Sequence, residues 1–329
     1  MTPLSHGVAG HLREVLTRPE PPGDRYTVHE LVGQGGMGAV YRATDHSLGR
    51  DVALKALRPE LADEESAARL RREAGILARL EHPGVVPVHE VGRLADGRLF
   101  YMMKLVRGTR LEEAIQGSPL AARLRLFLRI CETMSFAHAR GVVHRDLKPS
   151  NVMVGAFGEV LVLDWGIARV LDLPAESGAP PVALQSAAAP APLPDAVTAA
   201  GTVLGTPGFM SPEQAQGDVA RVDARSDVYS LGAMLRWLAN EGGAPAVRVP
   251  RPLESIWRKA CAPSPDSRYA SAEALATDVT RFLDAEPVSA HRESWLERAT
   301  RLYQRYQTAI LLVVAYLAMR LIFLLARGL

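Results

Sequence analysis

The sequence predicts an α+β chain whose strands come early and whose helices come late. Three observations carry that reading. Strand-like alternating runs occupy much of residues 26–103 around one amphipathic helical stretch, Asp63 to Leu80. Longer helical patterns dominate from Leu120 onward. Two short strand runs interrupt them, each beside an acidic loop. His144-Arg145-Asp146-Leu147-Lys148-Pro149-Ser150-Asn151 precedes Val152-Met153-Val154, and Asp164-Trp165-Gly166 follows Val160-Leu161-Val162-Leu163. A length of 329 residues suits one two-lobed domain, or two small ones, with appendages.

Composition narrows the class. Apolar residues make up 48% of the chain, ample for a core, and a net charge of +2 with a pI near 8.6 gives no argument for a nucleic-acid partner. Cys131 and Cys261 stand far apart without metal-ligand spacing. Both read as small buried apolar residues in a reducing compartment. Arg13, Glu14 and Arg18 near the start, with no apolar run, argue against a signal peptide.

Taken in order, residues 1–24 form a Pro/Gly-bearing flexible leader, with one short helix expected around His11 to Leu16. Strand pattern begins at Tyr26-Thr27-Val28 and runs into Gly33-Gln34-Gly35-Gly36-Met37-Gly38-Ala39-Val40. A G-x-G-x-x-G string fits dinucleotide folds and ordinary hairpins as well as phosphate loops. A dinucleotide fold needs a helix to start at the glycines, yet Ala39-Val40-Tyr41-Arg42-Ala43 alternates like a strand. Strand, glycine loop, strand lets backbone amides approach phosphates with no Cβ between. Asp51 to Leu57 is a further strand, with Lys55 among apolar neighbours; a solitary strand lysine is usually a solvated edge residue.

On the helical stretch, Leu70, Glu73, Leu77 and Leu80 share one face. Glu73 is therefore a carboxylate on an apolar stripe, costly unless paired. Arg69, Arg71 and Arg72 lie mostly off the stripe, in solvent. His82-Pro83 breaks the helix, strands follow at Val85 to Val91 and Leu99 to Met103, and helices are expected at Thr109 to Gln116 and Leu120 to Arg140. The second is long and apolar enough to be central, and it delivers the polar loop. There Asp146, Lys148 and Asn151 put a carboxylate, an ammonium and an amide together, and Asp164 arrives thirteen residues past Asn151. Two carboxylates and an amide near one point suit holding a divalent metal against phosphate and steering a hydroxyl nucleophile.

The loop resembles the catalytic loop of protein kinases. From Arg25 to Pro287 the chain is similar to eukaryotic-like Ser/Thr protein kinases of the prokaryotic, Hanks type. The resemblance implies the two-lobed protein kinase fold: an N-lobe, 25–104, of antiparallel sheet with one key helix, and a mainly helical C-lobe, 105–287. It implies ATP with Mg²⁺, or Mn²⁺ in its place. Gly33, Gly35 and Gly38 would cover the phosphates, and Lys55, paired with Glu73, would grip the α- and β-phosphates. In the hinge Met103-Lys104-Leu105-Val106, backbone groups at Lys104 and Val106 would meet the adenine edge. Val40 and Ala53 would cover the ring and Met153 lie under it, though all three also suit a plain core. Asp146 would orient the substrate hydroxyl and accept its proton, Lys148 would neutralise the transferring phosphoryl group, and Asn151 and Asp164 would hold the metal. Lys148-Pro149-Ser150-Asn151 is the Ser/Thr variety of the loop. Trp165 stands where the family usually has Phe, and the larger ring is expected to fill the same pocket.

From Val170 to Ala220 there is no Lys or Arg, and Pro174 to Pro194 is Pro/Ala-rich. A disordered activation-segment insert is expected over about 170–204. Gly205-Thr206-Pro207-Gly208-Phe209-Met210-Ser211-Pro212-Glu213-Gln214 resembles the peptide-seating end of that segment, with Thr206 near Asp146 and Lys148. Arg145 suggests regulation by phosphate, with Thr198 and Thr202 as the best acceptors. By resemblance Asp227 would brace the catalytic loop's backbone, and Arg268 would pair with Glu213. Trp237 to Arg251 is shorter than the stretch that in relatives carries an extra docking helix.

Residues 288–307 read as a basic juxtamembrane helix and 308–326 as a transmembrane helix. Thr308 to Ala326 would span about 28 Å as a helix, close to a hydrocarbon core of ~30 Å. Arg320, its one charge, can snorkel to the nearer interface. Arg292, Arg298, Arg301 and Arg305 against Arg327 place the kinase side in the cytoplasm, as a single-pass inner-membrane protein. With so little chain beyond the span, signals would arrive through the membrane helix, the leader or cytoplasmic partners. The competing reading is a helix packed on the domain or a partner. The expected function is phosphorylation of protein Ser/Thr in signal transduction, with autophosphorylation in the activation loop between two copies of the chain. The alternatives are a pseudokinase scaffold, whose usual mark is loss of Lys55, Asp146, Asn151 or Asp164, and a small-molecule phosphotransferase, which would lack the Gly205 to Gln214 segment.

Overall fold

Five antiparallel strands build the smaller lobe: β1 (Tyr26–Gln34), β2 (Gly38–Asp45), β3 (Arg50–Leu57), β4 (Val88–Arg93) and β5 (Leu99–Lys104), in the order β1-β2-β3-β5-β4. The structure is a computed structural model, and it describes residues 19–35, 38–166, 168–170, 208–218, 221–240, 249–291 and 311–320. Strand alternation divides the sheet's side chains. Val52, Leu54, Phe100 and Met102 pack into a small cluster on one face, while Leu57 and Tyr101 join the main core on the other. Lys55 and Tyr101 are cross-strand partners, so both point to that second face.

Helix α1 (Glu64–Arg79) covers this face. It starts where Asp63 accepts a hydrogen bond from the Ser66 amide at 2.7 Å, satisfying one free donor of the first turn. Leu70, Glu73, Ala74, Ile76 and Leu77 are buried on its inner stripe, whereas Arg71 and Arg72 are exposed. The larger lobe follows with β6 (Gly108–Arg110), α2 (Leu111–Ala114) and the central α3 (Leu120–Ala139), then β7 (Val142–Val143), β8 (Val152–Gly155), β9 (Val160–Val162) and β10 (Arg169–Val170). Helices α4 (Pro212–Ala215), α5 (Ala224–Asn240), α6 (Arg251–Ala260) and α7 (Ala272–Leu283) complete it. Phe127, Ile130 and Met134 of α3 meet Leu231 and Leu235 of α5 in one core that continues up to Leu70 of α1. Each such fully buried side chain contributes about 1.5–3 kcal/mol. The antiparallel sheet with one helix, then a helical lobe, is the fold class expected.

Several boundaries differ from expectation. Thr109 and Arg110 are strand, paired with Val154 and Met153, so the expected Thr109–Gln116 helix shrinks to α2. Val85 makes one parallel bridge to Val162, and β4 starts only after Pro87, which has no amide to give a ladder. The leader does not stop short of the lobe: Pro19 is buried and the Glu20 carbonyl accepts from the Ala95 amide at 3.0 Å. Nor does a helix begin at 288. Buried Asp278 accepts from the Ser289 amide (2.8 Å) and hydroxyl (2.6 Å) and the Ala290 amide (3.2 Å), holding 288–291 as a turn with Val288 in the core. Cys131 is buried, but Cys261 is only half-buried. Val170, placed at the start of the insert, pairs with Val142; residues 171–204, the short helix near residue 11, and Thr198, Thr202 and Thr206 lie outside the described residues. Residues 311–320 are helical and exposed. Among the described residues no helix is long and apolar enough to cross a membrane.

Candidate active site

One buried carboxylate sets the shape of the polar loop. Asp227, in the first turn of α5, accepts from the His144 amide (2.8 Å), the Arg145 amide (2.9 Å) and His138 Nε2 (2.8 Å). Burial alone would raise its pKa, but the bonds from His138 and the His144 amide outweigh burial and hold the carboxyl below its ordinary value. The brace is needed because Arg145 sits at φ 70°, a left-handed conformation that costs a non-glycine residue about 1–3 kcal/mol. Gln214 Nε2 donates to the Arg145 carbonyl at 2.7 Å, tying the loop to α4 as well.

His144 then joins the two acidic loops. Its Nδ1 accepts from the Asp146 amide (3.2 Å), which leaves Nε2 to donate to the Leu163 carbonyl (3.0 Å). Its ring lies 4.7 Å from that of Trp165. Trp165 is buried and donates from Nε1 to the Val162 carbonyl at 3.1 Å, so the large ring is both packed and satisfied. Asp164 is left-handed too, at φ 60°, and its side chain is exposed.

Within the loop, Lys148 Nζ donates to Asp146 Oδ2 at 2.8 Å. Asn151 Nδ2 donates to the Asp146 carbonyl (2.8 Å) and to Asp146 Oδ2 (3.2 Å). Both amide hydrogens of Asn151 are thus spent on Asp146, and Oδ1 remains as an acceptor for a cation. Across the cleft Lys55 Nζ donates to Glu73 Oε1 at 2.6 Å, so the carboxylate on the apolar stripe is paired.

These groups open onto one interlobe cleft of about 770 Å³. Val40 and Ala53 line it from β2 and β3, Met153 from β8, and Lys104 and Val106 from the end of β5 and the segment after it. Gly33, Gly35, Gly38, Lys55 and Glu73 line the small-lobe side, and Asp146, Asn151 and Asp164 the other. Lys148 is off the wall, held against Asp146. The glycines have different reasons. A Cβ on Gly38 would sit 2.7 Å from the Ala56 carbonyl oxygen, so packing against β3 excludes one; on Gly33 it would meet nothing within 4 Å among the described residues.

A cleft with apolar residues on both lobes, a lysine and glycines on its wall suits a flat ring carrying phosphates. No group of three or more His, Cys, Asp or Glu that could hold a metal occurs among the described residues. Asn151 and Asp164, which both line the cleft, could offer two oxygen ligands, a sparse set compatible with an Mg²⁺ that takes its remaining oxygens from phosphate and water. Sequence reasoning missed Tyr101, whose hydroxyl donates to Glu73 Oε1 at 3.0 Å. Its local pattern carries no signal, because only the register of the sheet sets it opposite Lys55. Gln214 and His138 were also passed over as holders of the loop.

The protein kinase domain matches residues 26–246. Among curated proteins, the chain is 35% identical to a probable serine/threonine-protein kinase of Streptomyces coelicolor, over 84% of this chain and 42% of that protein. It is 34% identical to the serine/threonine-protein kinase PknB of Mycobacterium tuberculosis, over 84% and 45%. Among solved structures, the kinase domain of Mycobacterium tuberculosis PknI aligns with a TM-score of 0.55 at 26% identity, covering 78% of this chain and 95% of that one. The chain spans less than half the length of these two curated relatives.

Proposed function

Because the chain belongs to the protein kinase family, we propose that it transfers the γ-phosphate of ATP to serine and threonine hydroxyls of proteins. One observation carries the reading: a single cleft is lined by both the Lys55–Glu73 pair and the set Asp146, Asn151 and Asp164. Adenine would lie between Val40 and Ala53 above and Met153 below, its edge toward the backbone at Lys104 and Val106. Lys55, steadied by Glu73, would hold the α- and β-phosphates under the loop of Gly33, Gly35 and Gly38. Bound Mg²⁺, or Mn²⁺, would neutralise the charge on the β- and γ-phosphates. Asn151 and Asp164 are the residues that would hold it. Asp146 would orient the acceptor hydroxyl and take its proton, and Lys148, already bonded to Asp146, would offset charge on the phosphoryl group in transit.

Autophosphorylation at Thr198 or Thr202 by a second copy belongs to the same proposal, with Arg145 as the phosphate's partner. So does a single-pass anchor formed by residues 308–326, with the catalytic lobes in the cytoplasm. Its support is that 311–320 is helical while Leu311, Val314, Leu317 and Met319 are all more than half exposed, an apolar surface on every side that suits lipid. Recovery of the full chain in the soluble fraction without detergent would remove the anchor.

The test of the activity is phosphate transfer from labelled ATP with Mg²⁺, comparing the chain with its Asp146→Asn variant. The expected result is label on Ser or Thr of the chain or an added protein, reduced at least about 100-fold in the variant. Equal labelling by both would overturn the assignment of Asp146.

A further inference from the structure

The Lys55–Glu73 pair is not alone. β3 and β5 place Lys55 and Tyr101 directly opposite each other, and α1 lowers Glu73 onto both. Glu73 Oε1 accepts from Lys55 Nζ at 2.6 Å and from the Tyr101 hydroxyl at 3.0 Å. The ammonium also lies 5.9 Å from the centre of the Tyr101 ring. Glu73 Oε2 faces Gly166, where an added Cβ would come within 3.5 Å of it. Glu73 is 3% exposed and Tyr101 1%, so neither partner can be replaced by water without rearrangement.

We propose that Tyr101 is a positioning residue for phosphate binding: its hydroxyl fixes the Glu73 carboxylate from the protein side, so that Lys55 can turn toward a nucleotide without losing its counter-ion. The inference rests on the reading of Lys55 as the phosphate anchor. Chemistry favours the arrangement. A lysine ammonium has three donors on a flexible stem and must divide them between Glu73 and phosphate. A carboxylate held by that lysine alone would have its other bonds to find each time the ammonium shifts. The phenol has one rigid donor, delivered from a central strand, and supplies a bond that nucleotide does not compete for. Burial, and then the charge of Glu73, push the Tyr101 phenol well above its ordinary pKa, which keeps it a donor across the working range.

Tyr101→Phe removes the hydroxyl and keeps the ring. In the full chain its expected effect is a loss of about 10-fold in kcat/KM for ATP, the size set by a hydrogen bond to a charged group. The KM for a protein acceptor should stay within about twofold, since Tyr101 is buried in β5 and bonds to Glu73 rather than to the Asp146 loop. The same change made on Glu73→Gln should add less than about twofold, because the bond it removes is already weakened. Titration of a non-hydrolysable ATP analogue with Mg²⁺ reads the same effect as affinity and does not depend on turnover. If the parent binds the analogue but transfers nothing, the catalytic reading fails while this arm still decides the role of Tyr101. Two outcomes overturn the proposal: Tyr101→Phe within about twofold of the parent in both measurements, or an equal loss with and without Glu73→Gln, which would mark Tyr101 as packing only.

Discussion

Two ion pairs join distant segments through a buried glutamate, and they differ in what they leave open. In the large lobe, Arg268 donates from Nη1 and Nη2 to the two oxygens of Glu213 at 2.6 and 2.7 Å, with side chains 0% and 3% exposed. The guanidinium also donates to the carbonyls of Ala262, Arg225 and Pro263, and Ser226 donates to Glu213 Oε1. In the small lobe, Lys55 gives Glu73 one bond and its side chain remains 15% exposed to the cleft. The first pair is saturated and can bind nothing else. The second, among the described residues, keeps donors in reserve. Fork geometry with every donor used is a fastening; a point charge with spare donors at a cavity wall is a site.

The largest break in this comparison is expected at the fastening. Arg268→Met leaves Glu213 a buried charge with no counter-ion, and should destabilise the domain by about 3–5 kcal/mol in chemical denaturation. Next comes the site. Lys55→Met should lower kcat/KM for ATP by about 100- to 1,000-fold; it too strips a buried glutamate of its counter-ion, but Glu73 borders the cleft and keeps the Tyr101 hydroxyl, so its loss of stability should be the smaller of the two. A larger loss of stability with Lys55→Met than with Arg268→Met, joined to a larger loss of activity with Arg268→Met, would falsify the division of roles.

How far these features could be read beforehand depends on whether a residue contradicts its local pattern. Glu73 on an apolar stripe and Lys55 in an apolar strand each break a rule of burial, and each break pointed to the other. The fold class was readable for the same reason: alternation and helical periodicity were strong from Tyr26 to Leu80 and from Leu120 to Ala139. Tyr101 was missed because a tyrosine in a strand breaks no rule, and its meaning depends on register with Lys55, which only the sheet supplies. The left-handed backbones of Arg145 and Asp164 carry no local signal, since both are imposed by the tertiary brace through Asp227 and His144. Boundaries failed where one distant contact decides them, as with the pairing of Gly108 to Arg110 against β8, or Asp278 gathering residues 289 and 290 into a turn.

Acid probes the enclosed pair of the large lobe. Burial alone would raise the Glu213 pKa, but the bonds from Arg268 and then Ser226 outweigh it and bring the carboxyl from its ordinary 4.5 down to about 2. A carboxyl that holds its proton less firmly when folded than when unfolded stabilises the folded state above its unfolded pKa. That contribution is lost as pH falls toward the folded one. The pair should therefore contribute about 3 kcal/mol at neutral pH that disappears between about pH 4.5 and pH 2. Hydrogen bonds that outweigh burial also hold the Asp227 and Asp278 carboxyls below their ordinary value, so the quantity to measure is a difference. The double variant Glu213→Gln, Arg268→Met removes both charges and avoids an unpaired one. Its unfolding free energy should fall less steeply than the parent's over that interval, by about 3 kcal/mol in all. Parallel acid limbs for the parent and the Glu213–Arg268 double variant would mean that the fully enclosed pair is not what the large lobe loses in acid.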